Sequence, residues 1–250
     1  MLIPGDFTED RLLGGRVVLT QPRQGYRVAV DAVLLAAVTA AKAGERVLDL
    51  GTGVGASALC LATRVPGVAV TGLELQPELA ALACANAAAN DMAARVKIIT
   101  GDLRNHESMP ETRAFDRVMM NPPYLRAGTF VPAPDASKAL ANGEGAGDAD
   151  LAAWVGCAAT LLQPRGVLTL VQRADRLDEV IALLYRRFGA ITLFPLWPKA
   201  GSAAKRILVG ARLGVATPAR LCPGLVLHEA DGAFTPAAEA VLRGGCGLDL

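Results

Sequence analysis

The chain has 250 residues, 52% of them hydrophobic and 20% charged, with a formal net charge of +1. That length holds one large α/β domain with a substantial core, and that composition excludes a disordered chain. The near-neutral charge gives no general affinity for nucleic acid, so any basic surface has to be local. The longest apolar segment, residues 28–41, is interrupted by Asp31 and is too short to span a bilayer. The N-terminus, MLIPGDFTED, has no basic region ahead of an apolar one, so no signal peptide is expected. Cys60, Cys84, Cys157, Cys222 and Cys246 are odd in number and scattered, without a CxxC or a His pairing. They point to a reducing, cytoplasmic compartment and to buried thiols, and they offer no metal site.

In chain order, residues 11–21, RLLGGRVVLTQ, read as two short β segments around Gly14-Gly15, an N-terminal hairpin. Residues 31–42 read as a helix. A regular alternation follows: strand 46–50, helix 56–64, strand 68–73, helix 77–90, strands 96–100 and 115–120, helix 150–162, strand 166–172 and helix 176–188. Strands 191–196 and 206–211 close the series. Alternating βα units predict a doubly wound, mostly parallel sheet. The last two strands have no helix between them, so they are expected to pair as an antiparallel hairpin. The Pro- and Gly-rich tail from residue 217 holds one further strand, 225–228, and is expected to pack on the same domain. Residues 125–149 are turn-rich with no apolar period, the profile of a lid or binding loop.

Chemistry gathers at the C-terminal ends of the strands. In VLDLGTGVGASAL, residues 47–59, Gly51, Gly53 and Gly55 permit close backbone approach and positive φ before a helix N-terminus. Glu74 ends the next strand, where an acid suits a pair of ribose hydroxyls, although it also suits the cap of the helix at Pro77. Asp102 ends the third in the same manner. Asp49, directly before the glycines, would repel a pyrophosphate and welcome an ammonium group. That favours S-adenosyl-L-methionine over NAD, as does the lack of a His, Tyr-Lys or Cys hydride-transfer set.

The fourth strand, Phe115–Met120, runs into Asn121-Pro122-Pro123-Tyr124. Two prolines end a strand, but a plain stop has no use for the flanking Asn and Tyr. The Asn121 side-chain oxygen and the Pro122 carbonyl suit the two N–H groups of a planar amine, pulling its nitrogen toward sp³ as positive charge develops. Pro123 fixes the loop, and Tyr124 offers a flat face to a base drawn out of its stack.

DLGTGVG, the acid in LELQP, GDL and NPPY resemble the motif series of class I S-adenosylmethionine-dependent methyltransferases. GYRVAVDAVLLAA (residues 25–37), the DLAAWV helix and PLWPKAGSAAKRILV narrow the resemblance to the bacterial tRNA adenine-N6 methyltransferases that act on valine tRNA. It covers nearly the whole chain. It implies a Rossmann-like fold in one methyltransferase domain, with a lead-in over 1–45, a catalytic core over 46–213 and an extension over 214–250. The catalytic set it implies is Asn121, Pro122, Pro123 and Tyr124. Around the cofactor it implies Asp31, Asp49, Gly51, Thr52, Gly53, Gly55, Glu74, Leu75, Asp102, Leu103 and Asn121. Where the family often has Gly-Thr-Asp, this chain has Ala29-Val30-Asp31; Asp31 is kept and is expected beside the methionine end.

The hairpin WPKAGSAAKR points to the same sheet edge. Trp197, Lys199, Lys205 and Arg206, with Arg23, Arg27 and Arg126, form an expected RNA rim, and Tyr124 is expected on the substrate. A solvated hairpin tip is the plainer alternative. No metal and no membrane partner is expected. Within the same chemistry, guanine-N2 methylation of ribosomal RNA and glutamine-N5 methylation of a release factor remain open, the first usually with Phe at the Tyr124 position. A non-catalytic partner subunit is the other class, and it would tend to lose Asp49, Glu74 or Asn121.

Overall fold

The computed structural model describes residues 6–24, 27–105, 111–124 and 150–250. The proposed loop 125–149 and Arg126 lie outside the described residues. Nine strands form the main sheet among the described residues. They are β3 (Arg46–Leu50), β4 (Ala69–Glu74), β5 (Val96–Thr100), β6 (Phe115–Met120), β7 (Leu162–Arg173), β8 (Phe188–Lys199), β9 (Arg206–Leu213), β10 (Arg220–Leu221) and β11 (Leu225–His228). Their order is β5-β4-β3-β6-β7-β9-β8-β10, with β11 also on β8. The run from β5 to β7 is parallel, whereas β9 is antiparallel to both of its neighbours. The expected hairpin is therefore present, and its tip lies at the C-terminal edge of the parallel strands.

Helices α1 (Val30–Val38), α2 (Ala56–Arg64) and α3 (Pro77–Ala89) belong to one core layer, and α4 (Leu151–Leu161) and α5 (Leu177–Leu184) to the other. The strands between them read as continuous apolar runs because both faces are covered. From Asp31 to Val38 every α1 residue is buried, since the helix lies between the sheet, α2 and a C-terminal helix α6 (Pro236–Leu242). Among the described residues no helix is long and apolar enough to cross a membrane.

Several boundaries differ from the sequence reading for local reasons. Helix α1 stops at Val38, where the Thr39 backbone turns extended; the Thr39 hydroxyl donates to the Leu35 carbonyl at 2.8 Å. Helix α5 stops at Leu184, the last member of its apolar face; Arg186 then turns left-handed at φ 64, and Phe188 pairs with Leu213 as strand. Helix α6 was not expected, although Thr235 caps Ala238 N at 3.1 Å and Pro236 takes the first turn. Cys60 and Cys157 are buried, and burial pushes both thiols up to about 12. Cys84 and Cys246 are exposed, against the expectation of buried thiols; Cys84 falls on the outer face of α3.

The N-terminal hairpin, β1 (Phe7–Leu12) and β2 (Val17–Pro22), forms a separate two-stranded sheet. Its free edge is satisfied by side chains from α3. Asn86 accepts from Thr20 N at 2.9 Å and donates at 2.9 Å to the carbonyls of Thr20 and Val54. Asn90 repeats the exchange with Val18, accepting at 2.8 Å and donating at 2.7 Å. Each amide imitates a neighbouring strand, and Asn86 also ties the hairpin to the glycine turn. Asn86→Ala leaves buried backbone groups without partners and is expected to cost about 2–3 kcal/mol. Urea unfolding would show this as a lower midpoint at an unchanged slope.

Candidate active site

Parallel pairing sets Leu50 opposite both Leu73 and Met120. The segments that follow β3, β4 and β6 therefore leave the sheet side by side, where ligands sit in open α/β sheets. Leu50, Gly51, Thr52, Gly53, Glu74, Leu75, Asp102, Leu103 and the whole of Asn121-Pro122-Pro123-Tyr124 line one cleft.

Gly51, Gly53 and Gly55 all adopt positive φ, at 72°, 57° and 90°. The amides of Gly51 and Thr52 donate to the Leu73 carbonyl at 2.8 and 3.0 Å, which closes the turn over β4. A Cβ on Gly51 would overlap the Trp154 ring, whereas one on Gly53 would meet nothing within 4 Å. Gly51 is thus required by a packed neighbour, and Gly53 faces the open cleft. Trp154 itself lines the cleft, a wall that its place on α4 did not announce.

The acids differ in their surroundings. Glu74 is buried, with Oε2 accepting from Gly53 N at 2.8 Å and Oε1 from Gln76 N at 2.9 Å. Burial raises its pKa against those hydrogen bonds. Each oxygen keeps a second lone pair for a hydroxyl donor. Asp102 is partly exposed and held by Arg104, whose Nη2 lies 2.7 Å from Oδ2; that hydrogen bonding lowers its pKa. Asp49 is 2% exposed and accepts from the Thr52 hydroxyl at 2.6 Å. Burial pushes it up to about 7, opposed by its hydrogen bonds to Thr52 and the Ala58 backbone and increased slightly by Glu74.

The Asn-Pro-Pro-Tyr loop is anchored from behind. Gln172 Nε2 and Arg176 Nη1 donate to the Pro123 carbonyl at 3.4 and 3.3 Å, and Arg176 also reaches the Tyr124 carbonyl at 3.3 Å. Arg176 is 9% exposed and paired with Glu179 at 2.8 Å. Neither Gln172 nor Arg176 stood out in the sequence. The two lie 49 and 53 residues from Pro123 in the chain, beyond the reach of a local signal.

Asp31, expected beside the methionine end, is buried and bonded to two other side chains of the site. The Tyr124 hydroxyl donates to its Oδ2 at 2.6 Å, and Arg206 Nε lies 3.3 Å from the same oxygen. The described contacts of Asp31 are thus to the Tyr124 end of the loop. Arg206, expected on the RNA rim, is partly exposed, with its guanidinium 4.4 Å from the Tyr124 ring centre. Trp197 and Lys199 also have other uses: Trp197 Nε1 donates to the Pro223 carbonyl at 2.9 Å and Lys199 Nζ to Ala230 at 2.7 Å. Both fasten the C-terminal extension to β8, and Arg27 holds Thr8 and Asp10 of the hairpin at 2.7 and 2.8 Å. Lys205 stays exposed at the tip.

This donor set suits S-adenosyl-L-methionine. A desolvated carboxylate favours a cation, Glu74 has acceptor capacity for hydroxyls, and Leu75, 43% exposed, offers an apolar wall beside Asp102 and Leu103. Asp49 burial has a cost in the ligand-free protein. With an unfolded value near 3.8 and a folded one near 7, the folded chain holds the extra proton in between, so stability falls as pH rises through that window. Asp49→Asn is expected to raise the ligand-free melting temperature at pH 7.5 by about 2–8 °C, with a smaller gain at pH 5. The same change is expected to weaken S-adenosyl-L-methionine binding about tenfold or more, measured by calorimetry.

The Methyltransferase small domain family matches residues 28–136. The tRNA1(Val) (adenine(37)-N6)-methyltransferase of Porphyromonas gingivalis is 33% identical over 232 residues, covering 88% of this chain and 89% of the relative. The protein of the same name from Aeromonas hydrophila is 32% identical over 216 residues, 85% of this chain and 87% of that one. Among solved structures, a predicted O-methyltransferase from Agrobacterium tumefaciens has a TM-score of 0.73 at 28% identity, covering 88% of this chain and 99% of its own. The geranyl diphosphate C-methyltransferase of Streptomyces coelicolor A3(2), at 13% identity and a TM-score of 0.50 over 72% of this chain and 76% of that one, shares the fold alone. This chain belongs to the family of the tRNA1(Val) (adenine(37)-N6)-methyltransferases.

Proposed function

We propose that the chain methylates N6 of an adenosine in tRNA, the reaction that its relatives' names give for adenosine 37 of tRNA1(Val). The observation that carries this reading is the exit of Asn121-Pro122-Pro123-Tyr124 from β6 beside the glycine turn of β3. Bound in the cleft, S-adenosyl-L-methionine supplies an electrophilic methyl group on a sulfonium. Asp49 balances its cationic methionine end through the field of a desolvated carboxylate. Glu74 would accept from the ribose hydroxyls, and Leu75, Leu103 and Asp102, which line the same cleft, would hold the adenine. Gly51, Thr52, Gly53 and Gly55 let the backbone approach closely.

At the acceptor, the exocyclic amine is a weak nucleophile because its lone pair is delocalised into the ring. Asn121 Oδ1 and the Pro122 carbonyl accept its two N–H groups, which favours the tetrahedral nitrogen and the positive charge of the transition state. Gln172 and Arg176 fix the loop through its later carbonyls, so the two acceptors need no reorganisation as charge develops. Pro123 contributes no N–H of its own, and the Tyr124 ring stacks on the base. The hairpin tip lies on the same edge, and Lys205, exposed there, meets the RNA backbone.

The Agrobacterium relative's name refers to an oxygen acceptor. A hydroxyl acceptor needs a base beside it, and Asn121, Pro122, Pro123 and Tyr124 include no carboxylate or imidazole. An amine attacks with its own lone pair, releases the neutral thioether and then sheds its extra proton to water, so it needs only aligned acceptors, and Asn121 with Pro122 provides those. Asn121→Ala is expected to lower kcat about 10²- to 10³-fold while S-adenosyl-L-methionine affinity stays within about twofold. In parallel, labelled methyl from the wild-type protein is expected in an unmodified tRNA1(Val) transcript. Label found in ribosomal RNA or a release factor and absent from tRNA would overturn the reading.

A further inference from the structure

Tyr124 is held by its side chain as well as by its backbone carbonyl. Its hydroxyl donates to Asp31 Oδ2 at 2.6 Å, and the Arg206 guanidinium lies 4.4 Å from its ring centre, within cation–π range. Arg206 Nε is 3.3 Å from the same Asp31 oxygen, so the three side chains close a ring of contacts. They come from α1, from the loop after β6 and from the first residue of β9. The Asp31 side chain is 10% exposed and that of Arg206 33%. A merely solvated arginine would have no reason to lie along an aromatic face above a buried acid.

We propose that Arg206 and Asp31 are positioning residues that set the angle and depth of the Tyr124 ring. The inference rests on the amine-methylating reading of the same site. Arg206 fixes the tilt of the ring from its face, and Asp31 fixes its depth from the hydroxyl end. The carboxylate also neutralises the guanidinium, so no net positive charge faces the amine as its nitrogen becomes cationic. The role assigns Arg206 to the chemical step and not to gripping a phosphate. The two roles have opposite kinetic signatures, because a phosphate contact changes RNA affinity and its salt dependence whereas a positioning contact changes turnover.

The test uses the full chain with Arg206→Ala, Arg206→Lys, Asp31→Asn and Tyr124→Phe, S-adenosyl-L-methionine and an unmodified tRNA1(Val) transcript. Arg206→Ala is expected to lower kcat about 10- to 100-fold at saturating RNA. Its S-adenosyl-L-methionine and tRNA dissociation constants stay within about threefold, and its log Kd against log salt slope is unchanged. Arg206→Lys restores part of the rate, because a cation over the ring survives without the planar fork. A second readout needs no RNA. The chain has 3 tyrosines, so 3-fluorotyrosine labelling gives few fluorine resonances, and Tyr124→Phe identifies the one that matters. That resonance is expected to shift in Arg206→Ala and Asp31→Asn. Wild-type kcat in Arg206→Ala, together with weaker tRNA binding and a shallower salt slope, would overturn the proposal. So would an unmoved Tyr124 resonance. If the wild-type protein methylates no tRNA, the functional reading fails by itself, and the fluorine spectra still decide the clamp.

Discussion

The site depends on the register of one strand. Because β3 pairs in parallel with both β4 and β6, Leu50 stands opposite Leu73 and Met120, and three neighbouring chain segments leave the sheet, each one strand spacing from the next. Side-chain direction alternates along a strand, so a slip of one residue would turn Asp49 and Met119 to the opposite face. Buried residues on both faces of β3 and β6 make such a slip costly. The packing of an unremarkable core is thus what aligns the glycine turn with Asn121.

On that edge the acids are arranged by environment more than by identity. Asp102 is lowered by its arginine, Glu74 is raised by burial but held by backbone amides, and Asp49 is raised furthest because little besides Thr52 and a helix N-terminus offsets its desolvation. Asp31, a fourth carboxylate nearby, is tied to Tyr124 and Arg206. One type of side chain is therefore held in four different states of burial and pairing on a single edge. The destabilising one, Asp49, is the one for which a cationic ligand gives relief.

What could be read from the sequence follows from how far each signal reaches. β3, α2, β5, β6 and β11 have the expected boundaries, because apolar runs, glycines and prolines act on their near neighbours. The glycine turn and Asn-Pro-Pro-Tyr were legible for the same reason. Partners distant in the chain were not: Asn86 reaches Thr20 across 66 residues, and Arg206 reaches Asp31 across 175. Composition suggested that basic groups near an aromatic make an RNA rim. Composition did not show their partners within the chain: Trp197 and Lys199 also bind the tail, and Arg206 also pairs with Asp31. Helix α6 was the reverse case, a local signal of capping Thr and N-terminal Pro in a segment too short and Gly-rich to stand out.

The C-terminal extension explains part of that difference. β10 and β11 pair with β8 along its outer edge, covering backbone groups that would otherwise be open to another chain. Trp197 and Lys199 of the hairpin add side-chain hydrogen bonds to that closure. The central claim, that the cleft holds the exocyclic amine of adenine, is tested most directly by nucleoside analysis. Unmodified tRNA would be methylated by the wild-type protein with labelled S-adenosyl-L-methionine, digested and separated. The label is predicted to migrate as N6-methyladenosine; label on guanosine N2 or on a ribose oxygen would contradict the account.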